Sequence, residues 1–125
     1  MSRAPAIFRS LADSTRLRIL ALLRAMELSV GELAQVLGQS QPRVSRHVKI
    51  LIDAGLVERR KEGSWVFLSL GRAERVEPLF TLLDRWERID GENLQSLADS
   101  ARLAAVRSER AGAGERYFAS PAPRC

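Results

Sequence analysis

The chain has one cysteine, Cys125 at its last position, and one histidine, His47. A single thiol cannot close a disulfide or build a cysteine cluster within one chain, and a single imidazole cannot make a metal site alone. Such cysteine usage fits a reducing cytoplasm, the expected location. Long apolar runs are missing too. The richest, residues 19–23, is bracketed by Arg18 and Arg24, and residues 1–9 hold no apolar signal core, so neither a membrane span nor a signal peptide is expected. Acidic residues are the minority, 15 against 20 lysines and arginines, which leaves a net charge of +5 and a pI of about 10.6. That surplus favours a polyanionic partner, either nucleic acid or an anionic membrane surface, and the placement of the charges has to decide.

With 125 residues the chain is long enough for one hydrophobic core and too short for two. Asp13 is a good N-cap, and the helix after it, with Leu17, Ile19, Leu20, Ala21, Leu22, Leu23 and Met26, is apolar almost all round, which places it in the middle of the fold. Ser29 and Glu32 have the spacing of a capping box. Val30, Leu33, Ala34 and Leu37 then recur at helical spacing, and Gly38 supplies a left-handed terminator. Another helix starts at once, because Ser40 can cap and Pro42 is tolerated in a first turn. Val44, Val48, Leu51 and Ile52 form its apolar stripe, and Gly55 closes it. Two helices joined by a three-residue turn make a helix-turn-helix, whose second helix is the one able to enter a major groove.

Residues 56–61 (LVERRK) and 65–70 (WVFLSL) read as strands around a turn at Glu62, Gly63 and Ser64, a hairpin that forms a wing and ends at Gly71. Helical spacing returns in Leu79, Leu82, Leu83 and Trp86. After a break near Gly91 it recurs in Leu94, Leu97, Ala98, Ala101 and Ala105. The glycines after Ala111, with Pro121 and Pro123, predict a loosely ordered tail. The expected fold is therefore mainly α with a small β-hairpin: a winged helix-turn-helix over residues 1–90, a helical extension and tail over residues 91–125, and dimerisation through the terminal helices.

Residues 11–20 (LADSTRLRIL), then Glu32, Leu33 and Ala34, then residues 40–51 (SQPRVSRHVKIL), then Ala54, Gly55, Leu56 and Val57 together closely resemble the ArsR family of prokaryotic repressors. The resemblance implies a homodimeric repressor that leaves an inverted-repeat operator when an effector binds, often a metal ion. Members that sense soft metals carry cysteines in an ELCVCDL-like segment, where this chain has Ser29 and Gly31. Neither residue can replace a thiolate. Members that bind zinc between C-terminal helices use Asp and His pairs, yet no histidine follows Arg72. The expectation is thus no metal and no cofactor, DNA release indifferent to zinc, cadmium, lead and arsenite, and any effector a small organic molecule or a partner protein acting around Trp86. Residues 102–110 with Tyr117, Phe118 and Ala119 resemble the connector of longer members that continue into a methyltransferase. No glycine-rich loop for S-adenosylmethionine is present, so a stand-alone regulator or a fragment is expected rather than an enzyme.

Candidate DNA contacts are Ser40, Gln41, Arg43, Ser45, Arg46, His47 and Lys49 on the second helix, with Arg59, Arg60 and Lys61 on the wing. A charged helix face is often merely solvated. Here the donors sit where phosphate attraction and base-edge bonding both need them, Arg43 and Arg46 suiting guanine and Gln41 adenine. For His47 a phosphate contact and a purely structural role both stand. The wing charges either touch phosphate or block edge pairing. Ile7, Phe8, Leu11, Leu79, Leu82, Leu83 and Trp86 form the candidate dimer surface, part of which a protomer's own core would claim. Asp84 and Glu87 have no nucleophile or base near them in sequence. A winged helix serving only protein interaction is the alternative reading.

Overall fold

The computed structural model describes residues 4–90 and 94–119, with side chains for residues 4–88 and 98–111. Six helices and one hairpin follow in the order α1 (Ala4–Leu11), α2 (Ser14–Ala25), α3 (Val30–Leu37), α4 (Gln41–Asp53), β1 (Val57–Glu62), β2 (Trp65–Leu70), α5 (Ala73–Asp90) and α6 (Leu94–Ala119). The helix starts follow from their caps. The Asp13 carboxylate accepts from the amides of Thr15 and Arg16, while Ser29 and Glu32 form a reciprocal capping box. Gly38 ends α3 at φ 67°, a conformation that costs glycine nothing.

Helix α2 lies at the centre, with Ile19, Leu20, Leu22 and Leu23 all buried. Leu33, Val36 and Leu37 of α3 and Val44, Val48 and Leu51 of α4 close on it, and Val76, Leu79 and Phe80 of α5 join the same cluster. The strands pair antiparallel in a register that sets Val57 opposite Leu70 and Glu62 opposite Trp65, leaving Gly63 and Ser64 as a two-residue turn. A bridge between Leu28 and Leu68, both buried, ties the hairpin to the core.

At the base of the hairpin the Gly71 amide donates to the Leu56 carbonyl at 2.8 Å. A Cβ on Gly71 would stand 2.4 Å from the Gly55 carbonyl oxygen. Backbone, not a flexible side chain, blocks that space. Gly71→Ala is therefore expected to destabilise the fold by about 1–3 kcal/mol through overpacking, measured as a lower urea midpoint at unchanged slope. An unchanged midpoint would mean that the hairpin base is looser than described.

One expectation needs correction in the C-terminal part. The helix does not end at Ala111 but runs on to Ala119 through Gly112 and Gly114; Pro121, Pro123 and Cys125 lie outside the described residues. Among its described side chains Asp99, Leu103 and Val106 are buried, whereas Ala101 and Ala105 are exposed. This face docks on α2 and α3. Arg18 grips Asp99 with two bonds of 2.8 Å, and both side chains are largely buried. A buried charge is costly unless it is paired, so the matched guanidinium is what makes Asp99 tolerable there. Arg110 clasps the Glu32 carboxylate and donates to the Glu27 carbonyl at 3.2 Å. Arg102 reaches the Val36 carbonyl at 3.1 Å and Arg107 the Ala25 carbonyl at 3.4 Å, so α6 satisfies acceptors in the last turns of α3 and α2.

Candidate nucleic-acid interface

Helix α4 divides sharply. Val44, Val48 and Leu51 face the core, and Gln41, Arg43, Ser45, Arg46 and Lys49 face solvent. The Ser40 hydroxyl accepts from the Arg43 amide at 3.4 Å, which gives Ser40 a capping role at the helix start. No acidic residue sits in the first turn to offset the positive end of the helix dipole. Lys49 stands 3.6 Å from Asp53, four residues on, in an exposed pair worth little. Among the described residues no carboxylate pairs with Arg43 or Arg46, so both guanidiniums are available to a partner.

His47 has a partner within the chain. Arg16 donates to its Nδ1 at 3.1 Å and also donates from Nε to the Ser10 carbonyl, binding α4 to the junction of α1 and α2. A guanidinium only donates, so Nδ1 must be the acceptor and the ring is held unprotonated on that side. Burial lowers the His47 pKa below its ordinary 6.5, with Arg16, Arg43 and Arg46 adding to the effect against the pull of Asp13. Asp13 and Glu32 are lowered as well. Burial opposes the shift in both, but backbone amides of Arg16 and Thr15 outweigh it at Asp13, and Arg110 outweighs it at Glu32.

The three signs agree. A group with a depressed folded-state pKa binds fewer protons when folded, so stability is complete at neutral pH and falls on acidification. The His47 share should be lost as pH drops from 6.5, and the carboxylate shares below their ordinary 3.8 and 4.5. Urea midpoints across pH should show both steps, and His47→Gln should remove only the first. A midpoint that stays flat below pH 6.5 in the parent chain would contradict this placement of His47.

The wing separates residues that the sequence grouped. Alternation puts Arg59 and Lys61 on the same face as Val57 and Leu68, and Arg60 on the other beside Phe67. Arg60 is engaged there, 2.5 Å from Glu27 and 3.5 Å from Glu62, with its guanidinium 5.5 Å from the Phe67 ring centroid. The pair ties the hairpin to the segment before α3, and Arg60 itself stays exposed. Arg59 and Lys61 remain exposed and have no ion pair among the described residues. Arg16 and Glu27 escaped the sequence reading because their partners lie 31 and 33 residues away. The Asp13 cap was the nearest local hint for Arg16.

The start of α3 does not fit a soft metal. The Ser29 hydroxyl is the cap acceptor for the Glu32 amide, Gly31 offers no side chain, and the Glu32 carboxylate is held by Arg110. No group of three or more His, Cys, Asp or Glu side chains converges among the described residues, nor is any helix there long and apolar enough to cross a membrane.

Fold and surface together define a winged helix-turn-helix with a basic, unpaired recognition helix. Residues 13–59 match the family model described as bacterial regulatory protein, arsR family. The chain is 40% identical over 84 residues to the transcriptional activator HlyU of Vibrio cholerae, covering 67% of this chain and 77% of that one. A solved structure of that HlyU superposes with a TM-score of 0.61, covering 68% of this chain and 91% of that one at 40% identity. A homodimeric winged helix-turn-helix DNA-binding domain from Mycobacterium bovis gives a TM-score of 0.64 at 29% identity, covering 73% and 85%. The arsenical resistance operon repressor of Escherichia coli (strain K12) is 48% identical over 65 residues, which span 51% of this chain and 56% of the relative. Against the arsenic-resistance relatives the chain thus spans little more than half their length. This chain belongs to the ArsR family of bacterial regulatory proteins.

Proposed function

We propose that the chain is a sequence-specific DNA-binding transcriptional regulator of the cytoplasm, a repressor that grips an inverted-repeat operator as a homodimer. The observation that carries this reading is the unpaired pair Arg43 and Arg46 on the exposed face of α4. Gln41, Ser45 and Lys49 extend that face, Ser40 caps it, and Arg59 and Lys61 supply the flanking phosphate contacts. His47 supports the surface from behind, and Arg60 holds the wing.

For the dimer the expectations narrow. Leu79 belongs to the protomer's own core, and Ile7, Leu11 and Leu83 pack against it. Phe8 and Trp86 are 61% and 52% exposed, and Leu82 is half-buried. These three residues on α1 and α5 form the face proposed to meet a second copy, a symmetry that demands a two-fold operator. The metal and arsenic names of relatives do not transfer, because the thiolates such sensing needs are missing. Genomic footprinting of the full chain should find inverted repeats with half-sites about 34 Å apart, one helical turn. Light scattering should report a dimer that Phe8→Glu with Trp86→Glu disrupts. A soluble monomer for the parent chain, or footprints without symmetry, would overturn the proposal.

A further inference from the structure

The C-terminus of α4, the start of β1 and the start of α5 enclose a groove of about 540 Å³, lined by Ile52, Asp53, Gly55, Val57, Glu58, Arg59, Arg72 and Arg75. That volume suits a small molecule. Among the described residues none of the guanidiniums of Arg59, Arg72 and Arg75 is engaged in an ion pair or hydrogen bond. Arg75 lies over the end of α4, since a Cβ on Gly55 would stand 2.5 Å from its Nη1. Ile52, half-buried, adds an apolar patch, while Val57 beneath is buried in the core. Asp53, which pairs with Lys49, and Glu58 hold the local charge to a small positive excess, which suits a monoanion better than a polyphosphate.

We propose that this groove binds a small organic carboxylate, its two oxygens taken by Arg72 and Arg75 and its apolar body lying on Ile52. A guanidinium fork matches a carboxylate with two parallel bonds, a geometry lysine cannot offer. Operator phosphate is the competing source of an oxyanion, because Arg59 lines the groove and is also proposed to meet operator phosphate, and the test below separates the two sources. The groove lies at the C-terminal end of the 13-residue α4, about 13 Å along the axis from Arg43, although Lys49 is bridged to its lining residue Asp53. It is also at the base of the hairpin, the far end from the Gly63 turn. The groove lies instead at the joint between the recognition helix and α5, the helix that carries Trp86. In this the inference rests on the regulator reading given above for its meaning, but not for its test.

The test is calorimetry on the full chain with benzoate as the probe, at fixed ionic strength. Saturable binding at one benzoate per chain is expected, weakened about tenfold or more by Arg72→Ala and by Arg75→Ala. Arg72 is exposed, so its variant keeps the fold even should Arg75→Ala not. No saturation at millimolar benzoate, or affinity unchanged in Arg72→Ala, would overturn the proposal. So would an Arg72→Ala variant whose DNA binding, without benzoate, is weakened and less salt-dependent, because the groove would then hold operator phosphate. Calorimetry needs no DNA, so failure of this site is distinguishable from failure of the regulator reading.

Discussion

Arg43→Ala and Arg46→Ala are each expected to weaken specific operator binding by about tenfold to a hundredfold, the equivalent of roughly 1–3 kcal/mol for a bidentate base contact. The loss should come with relaxed preference at one base pair per half-site, because the guanidinium fork reads guanine while phosphate contacts carry no sequence information. Stability should not change. Both side chains are exposed and unpaired, so their removal opens no cavity and strands no partner. Arg60→Ala is the informative contrast. Its guanidinium is committed to Glu27, so its loss should leave base preference intact. Anisotropy titrations against a selected duplex and single-base variants measure all three. Wild-type selectivity in both α4 variants would show that another element reads the bases.

Asp99→Ala is expected to have the largest effect on stability. It leaves the Arg18 guanidinium, 18% exposed, facing the cavity of its lost partner, and breaking such a buried pair costs on the order of 3 kcal/mol. Replacing the two together, Arg18→Met with Asp99→Leu, should restore most of the loss, because apolar residues need no partner there. Urea denaturation of the three variants gives the comparison. Indifference to Asp99→Ala would mean that α6 does not rest on α2 as described, and the contacts of Arg102 and Arg110 would fall with it.

The helix starts and the turn of the helix-turn-helix were legible because their signals are local. Asp13, Ser29 with Glu32, Gly38 and Ser40 each act on backbone groups within four residues, a span over which sequence spacing is geometry. The buried faces of α3 and α4 followed from period, and the central place of α2 from its being apolar almost all round. What failed was contact across the chain. Arg16 with His47, Arg60 with Glu27 and Arg18 with Asp99 join residues 31, 33 and 81 positions apart, and no periodicity encodes them. Strand alternation turns Arg60 to the face opposite Arg59 and Lys61, which the run of three cations does not itself display. A carboxylate that finds a guanidinium can enter a core, so Asp99 marked the buried face of α6 that hydrophobicity did not.

The most direct test of α4 as the reading element is methylation interference at guanine N7, an atom that lies in the major groove and is one of the two acceptors a guanidinium fork uses. The account predicts that N7 methylation blocks binding at guanines in two clusters about one helical turn apart, and that Arg43→Ala or Arg46→Ala erases one position from each cluster. Binding indifferent to N7 methylation throughout the selected duplex would contradict it.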